Sequence, residues 1–121
     1  MDVVDETFLA VPPEVVAAVF KRPESWRRYW PDLRLDLYAD RGAEGYRWAV
    51  TGALTGTMEV WLEAVLDGTV LHYFLRADTP LDARRARKVA GERQLAAKTL
   101  ALELKQVLED GRPPGVPPVE A

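Results

Sequence analysis

The sequence predicts one α+β domain, in which a curved antiparallel sheet of about five strands wraps around a long C-terminal helix. Three observations support this prediction. The chain has 121 residues, enough for one domain. Several segments alternate apolar and polar residues with the period of two expected of strands. Residues 82–109 carry apolar residues at helical spacing. A sheet closed by a single helix encloses a hollow, so we expect a buried pocket between them.

The first part of the chain predicts a strand followed by two short helices. Residues 3–11 form the strand, and Pro13 suits the first position of a helix because its missing N–H costs nothing there. Apolar side chains at helical spacing continue this helix to Phe20, and Pro23 ends it. A second short helix then extends as far as Trp30. These two helices lie between the first strand and the rest of the sheet.

Four further strands follow, at residues 33–38, 46–53, 57–66 and 69–78. The dipeptide Asp67-Gly68 between the last two predicts a hairpin with a two-residue loop. Counting outward from this loop gives three opposed pairs on the outer face: Glu63 with His72, Trp61 with Phe74, and Glu59 with Arg76. The concave face under the helix then carries Met58, Val60, Leu62, Ala64, Leu71, Tyr73, Leu75 and Ala77.

The single histidine allows two interpretations. His72 with Glu63 could act as an acid/base pair, because a neighbouring carboxylate favours the charged imidazole. Alternatively, the two residues form a solvated pair on the outer face, where an exposed pair contributes about 1 kcal/mol or less. We favour the second interpretation for this pair, and also for Glu59 with Arg76.

The long helix has an apolar stripe with a charged residue in its middle. The stripe consists of Ala86, Val89, Ala90, Ala97, Leu100, Leu104, Val107 and Leu108, and Asp82 is the expected N-cap. Arg93 falls within this stripe, so it should form a salt bridge or contact a ligand in a wet cavity. Leu95 and Leu102 lie on the opposite face. They either form a homodimer contact or are separate apolar residues on the surface.

Composition excludes several classes of protein. The chain has no cysteine, one histidine and a net charge of −3. It therefore offers no thiolate chemistry and no histidine-rich metal site, and we expect no cofactor. The negative charge argues against general nucleic-acid binding, and the basic residues 84–88 are interpreted as a solvated helix end. No segment has the length or pattern of a membrane span or a signal peptide, so we expect a cytoplasmic protein without membrane insertion.

The order of elements and several short segments resemble a known superfamily. The chain is similar over residues 3–110 to the START-like (SRPBCC), helix-grip superfamily, which includes polyketide cyclases/dehydrases, lipid-transfer START domains and Bet v 1-like proteins. The segments that carry the likeness to small actinobacterial polyketide cyclase/dehydrase-like proteins are residues 11–16, 26–33, 40–42, 47–48, 50–52 and 59–63. These segments contain no catalytic motif. The Pro- and Gly-rich residues 111–121 are expected to form a tail outside the domain.

The resemblance implies a pocket for a small hydrophobic molecule between the sheet and the long helix. Its expected lining residues are Trp30, Trp48, Met58, Leu62, Tyr73 and Arg93. Tyr73 and Arg93 are the only candidates for catalysis, and the predicted pocket contains no general base. The superfamily commonly has six or seven strands, so with five strands this pocket should be smaller, shallower or completed by a second chain.

Three functions therefore remain open from the sequence. The first is non-enzymatic binding of a small hydrophobic molecule, and the second is a cyclase or dehydratase acting on a polyketide-like substrate. The third is a protein-interaction module that uses Leu95, Leu102, Trp61 and Phe74. Pocket volume separates these functions, because a cavity below about 300 Å³ favours interaction over ligand binding.

Overall fold

The computed structural model describes residues 1–78 and 81–110. Its elements are β1 (Asp2–Leu9), α1 (Pro13–Lys21), α2 (Pro23–Tyr29), β2 (Leu33–Asp40), a 3-10 turn (Gly42–Glu44), β3 (Gly45–Gly52), β4 (Thr55–Val65), β5 (Gly68–Asp78) and α3 (Ala83–Glu109). The predicted tail, residues 111–121, lies outside the described residues. The domain boundary at residue 110 therefore stays a prediction.

The five strands form one antiparallel sheet in the order β1-β5-β4-β3-β2. The helix α3 packs mainly along the edge strand β1, and the two short helices follow β1 as predicted. Both short helices begin with a proline, Pro13 in α1 and Pro23 in α2. The α+β, helix-grip architecture predicted from the sequence is confirmed. None of the helices in the described ranges has the length and apolar character needed to cross a membrane.

The loop of the β4–β5 hairpin differs from the prediction. Val65 lies opposite Gly68, so Leu66 and Asp67 form the loop, and Leu66 takes a positive φ of 53°. Gly68 belongs to β5 because β1 passes close to it: a Cβ there would lie 2.3 Å from the carbonyl oxygen of Leu9. The glycine therefore permits a close approach between strands instead of a turn conformation.

The observed register of β4 against β5 differs from the predicted one by two residues. Each side chain therefore has a different partner across the strands but stays on the predicted face of the sheet. Trp61 lies opposite His72, and Glu59 lies opposite Phe74. The apolar face predicted to lie under the helix is buried, apart from Ala64 near the hairpin end, which is exposed. The predicted pair of Glu59 with Arg76 is wrong. The Glu59 carboxylate instead accepts hydrogen bonds from Arg41 and Arg47. Arg76 forms an ion pair with Asp2.

The helix α3 begins at the predicted N-cap. The Asp82 carboxylate accepts a hydrogen bond from the backbone N–H of Arg85 at 2.9 Å. Leu95 and Leu102 are exposed, as expected from their position opposite the stripe. Val107 was placed in the stripe but is 66% exposed. It borders an open groove between α3 and the short helices, so the buried part of the stripe is narrower at this end.

Candidate functional site

Aromatic side chains occupy most of the space between the sheet and the helices. Trp30, at the end of α2, is central: its ring lies 6.3 Å from Tyr73 and from Phe20, and 5.8 Å from Trp48. We call the connected set the aromatic cluster. Its members are Phe20, Trp26, Tyr29, Trp30, Tyr46, Trp48 and Tyr73. Three of these seven residues, Trp30, Trp48 and Tyr73, were predicted from the sequence to line the pocket.

A small enclosed space remains beside the aromatic cluster. This interior void has a volume of about 10 Å³ and is lined by Asp5, Phe20, Trp30, Val60, Leu71, Tyr73, Ala97, Leu100 and Ala101. That volume is close to the minimum that holds one water molecule. The hollow expected from the architecture is therefore largely filled, because Trp30 and its neighbours pack into it. In this conformation the void is far below the volume of about 300 Å³ that is typical of ligand sites.

The residues predicted to line a pocket occupy different parts of this interior. Trp30 and Tyr73 line the void. Trp48 is fully buried beneath Trp30, and Met58 and Leu62 are core residues at 1% and 3% exposure. Their roles in ligand binding stay predictions.

Arg93 forms the salt bridge that the sequence analysis gave as one of two interpretations. Its guanidinium donates to both carboxylate oxygens of Asp32, at 3.2 and 2.5 Å. The Arg93 side chain is 17% exposed and that of Asp32 is 52% exposed. This bidentate pair ties α3 to the turn between α2 and β2.

Tyr73 is a neutral phenol at physiological pH. Burial raises the pKa of Tyr73 to about 12, although the charge of Arg93 and a hydrogen bond with Trp30 lower this pKa in part. The phenol can donate or accept a hydrogen bond, but it does not ionise near neutrality. Tyr73 is therefore suited to orienting an oxygen atom and unsuited to acting as a base.

Asp5 is a polar residue in the interior that the sequence analysis did not identify. It is 6% exposed and lies directly opposite Tyr73 in the pairing of β1 with β5. Its carboxylate lines the void, and it is absent from the lining residues predicted from the sequence. The alternation of β1 contains the signal, because Asp5 is in phase with the buried residues Val3 and Leu9.

One buried polar atom in the aromatic cluster has no hydrogen-bond partner among the described residues. It is the indole nitrogen Nε1 of Trp48. A buried donor without an acceptor costs about 1–3 kcal/mol. Trp48 contacts Trp30, which lines the void. The interior therefore retains an unused hydrogen-bond donor next to its central residue.

A groove on the surface lies directly outside the void. It runs between α2 and α3, has a volume of about 420 Å³, and is lined by Arg28, Tyr29, Glu92, Leu95, Ala96, Thr99, Leu100 and Glu103. Leu100 lines both this groove and the void. An ion pair between Arg28 and Glu103 joins α2 to α3 at the groove. This pair is exposed, and exposed ion pairs contribute little stability.

His72 lies on the outer face of the sheet, away from this interior. Its ring stacks on Trp61 at 4.2 Å and is 7% exposed, so the expectation of a solvated pair is wrong. Its ring nitrogens face Glu63 at 3.0 Å and Glu6 at 3.3 Å. The flanking aromatic rings exclude water from the histidine. Within the described residues, no three His, Asp or Glu side chains converge to hold a metal ion.

The comparison with solved structures shows the fold. A protein from Mesorhizobium loti matches with a TM-score of 0.76 at 17% identity, covering 93% of this chain and 100% of that chain. A START superfamily protein from Mycobacterium smegmatis matches with a TM-score of 0.66 at 14% identity, covering 88% and 98%. This chain has the START-like fold. No family model and no curated protein matches the sequence.

The same START-like fold occurs in an Aha1 dimer from Colwellia psychrerythraea. Its structure matches with a TM-score of 0.69 at 12% identity, covering 93% of this chain and 99% of that chain. The long C-terminal helix and the sheet therefore superpose on proteins with very different sequences. At these identities the likeness establishes architecture, while function depends on the side chains in the interior.

Proposed function

We propose that the protein binds a small hydrophobic molecule between the sheet and α3, and that the molecule enters through the groove between α2 and α3. The observation that carries this proposal is the position of Leu100, the one described residue that lines both the groove and the interior void. A change in the conformation of this side chain would join the surface groove, which has a volume of about 420 Å³, to the aromatic cluster. Binding would therefore widen a space that is nearly closed in the unliganded protein.

The chemistry of the interior supports a flat ligand with an oxygen atom. The rings of Trp30, Trp48 and Tyr73 provide apolar faces, which favour stacking with another ring. Such an oxygen would meet the phenol of Tyr73 and the indole N–H of Trp48, which has no acceptor among the described residues. The site thus combines apolar surfaces with a few polar groups, as ligand sites commonly do.

The proposal is binding without catalysis. A cyclase or dehydratase needs a base near the substrate. Tyr73 keeps its proton at neutral pH, Arg93 is held by Asp32, and the carboxylate of Asp5 is paired with Lys98. Among the described residues that line the void, the carboxylate of Asp5 is then the one possible proton acceptor, and its pairing with Lys98 favours binding over proton transfer. A cytoplasmic location, expected from the sequence, forms part of the proposal.

The variant Leu100→Ala tests the proposed route. It shortens a side chain that lines both the groove and the void. Because more apolar surface then becomes accessible to a ligand, we expect the variant to bind naphthalene about tenfold more tightly than the wild type. Leu95→Ala is the matched control, because Leu95 lines the same groove but is 69% exposed. The dissociation constants are measured by NMR titration. Equal affinity in all three proteins would contradict the route.

A protein-interaction module is the second candidate, and the small interior volume favours it. The Aha1 protein with this fold is a dimer, and exposed Leu95 and Leu102 lie on one face of α3. A homodimer through this face would dissociate when both leucines are replaced by lysine. Sedimentation velocity of the wild type and the double variant measures this. A wild type that stays monomeric at high concentration would exclude the homodimer.

A further inference from the structure

The buried carboxylate of Asp5 faces an apolar interior. Asp5 is 6% exposed, and it lines the void together with apolar and aromatic residues. A carboxylate in such a place is costly unless its oxygens receive hydrogen bonds. The donors near Asp5 show how much of the carboxylate's capacity to accept hydrogen bonds is used.

Three donors approach the Asp5 carboxylate from the described residues. Lys98 lies 3.1 Å from Oδ1, and Gln94 donates to the same oxygen at 3.4 Å. Thr7 donates to Oδ2 at 3.3 Å. A carboxylate accepts about four hydrogen bonds. Among residues 1–78 and 81–110, each carboxylate oxygen thus accepts one long hydrogen bond and Lys98 forms an ion pair at Oδ1, so acceptor capacity is left on Oδ2.

The position of Asp5 in the sheet places it next to the aromatic cluster. Asp5 pairs with Tyr73, Tyr73 pairs with Val60, and Val60 pairs with Tyr46, so the four residues form one row across the sheet. Directly opposed residues on one face have their Cβ atoms about 4.5–5.5 Å apart. A molecule that stacks in the interior would meet the Asp5 carboxylate at one end of this row.

We infer that Asp5 is the polar anchor of the ligand site, where its carboxylate accepts a hydrogen bond from a hydroxyl group on a neutral hydrophobic molecule. The inference rests on the proposed function and specifies its ligand. Lys98 already balances the charge of Asp5. A ligand ammonium would therefore leave an excess positive charge in a dry site, which is costly. A neutral hydroxyl supplies the missing donor without this cost.

The inference predicts discrimination between closely matched probes. The probes are 2-naphthol, 2-methoxynaphthalene and naphthalene, which share the ring system; only 2-naphthol offers a hydroxyl donor. We expect the wild type to bind 2-naphthol at least about tenfold more tightly than 2-methoxynaphthalene, since hydrogen bonds to charged groups are the stronger kind. Dissociation constants come from NMR titrations that follow the indole N–H of Trp30.

Variants of β1 assign the discrimination to Asp5. Asp5→Leu should bring the ratio of the two dissociation constants close to one, and Asp5→Asn, which keeps a neutral acceptor, should give an intermediate ratio. Asp2→Leu is the control, because Asp2 lies on the same strand with its side chain 64% exposed, and it should keep the wild-type ratio. If Asp5→Leu does not fold, Asp5→Asn and the wild-type ratio still decide the question.

The outcomes separate the inference from the proposed function. Equal binding of 2-naphthol and 2-methoxynaphthalene by the wild type overturns the anchor and leaves hydrophobic binding standing. A ratio that persists in Asp5→Leu overturns the role of Asp5. Absence of saturable binding for all three probes overturns the proposed function and the inference with it.

Discussion

Replacing Arg93 with methionine tests whether this partly buried arginine serves the structure or the ligand. The variant removes a bidentate pair with Asp32 and leaves an apolar side chain of similar length in the stripe of α3. Arg93 is mostly buried, whereas Asp32 is half exposed and can be hydrated after the change. The loss should therefore be about 1 kcal/mol, between the values for exposed and fully buried pairs. For 121 residues this lowers Tm by about 4 °C.

The assay is thermal unfolding followed by circular dichroism, combined with the 2-naphthol titration. Arg87→Met, at an exposed position on the same helix, is the matched control and should leave Tm unchanged within about 1 °C. Because Asp32 occupies the guanidinium, Arg93→Met should keep the affinity for 2-naphthol within about twofold. An equally stable variant with affinity reduced tenfold or more would refute this reasoning and assign Arg93 to the ligand.

Three further predictions concern stability. The folded protein keeps the Tyr73 proton until its pKa of about 12, whereas an unfolded tyrosine loses its proton near pH 10, so stability should fall between these values by up to about 2–3 kcal/mol. Urea unfolding at pH 9 and 11 should show about 1.3 kcal/mol of this loss in the wild type and less in Tyr73→Phe, where only the raised pKa values of Tyr29 and Tyr46 contribute; the same loss in both would exclude Tyr73 as the cause. Leu66→Asn should raise stability by about 0.5–1 kcal/mol, because asparagine tolerates the positive φ of 53° better; a lower Tm would contradict this. Glu109→Ala should cost about 2–3 kcal/mol in urea unfolding, since the buried Glu109 carboxylate accepts from the Ala10 N–H and from Lys105; a change below about 0.5 kcal/mol would show that water replaces it.

The sequence predicted the fold because its local signals agree with one another. Pro13 marks the start of the first short helix and Pro23 its end, alternation marks the strands, and Asp82 caps the long helix. The hairpin register was missed because a glycine has two uses that sequence alone does not separate. Gly68 suggested a turn, but it is required by the close approach of β1, which is a contact distant in the chain.

The site was less predictable, because its volume depends on how side chains fill the interior. The order of elements indicated a hollow, and the aromatic residues were recognised one by one, yet their joint packing around Trp30 leaves about 10 Å³. Asp5 was missed although it is in phase with Val3 and Leu9, because an acidic residue in a strand is usually assigned to the surface. Its burial depends on Lys98 and Gln94 from α3, a distant part of the chain.

The most direct test of ligand binding in the interior is an NMR titration of the wild type with 2-naphthol, observed at the four tryptophan indole N–H groups. Trp30 and Trp48 lie in the aromatic cluster, while Trp61 stacks on His72 on the outer face and provides an internal control. We expect saturable one-to-one shifts at Trp30 and Trp48 with Trp61 unchanged. Shifts confined to Trp61, or no saturable shift at any tryptophan, would contradict it.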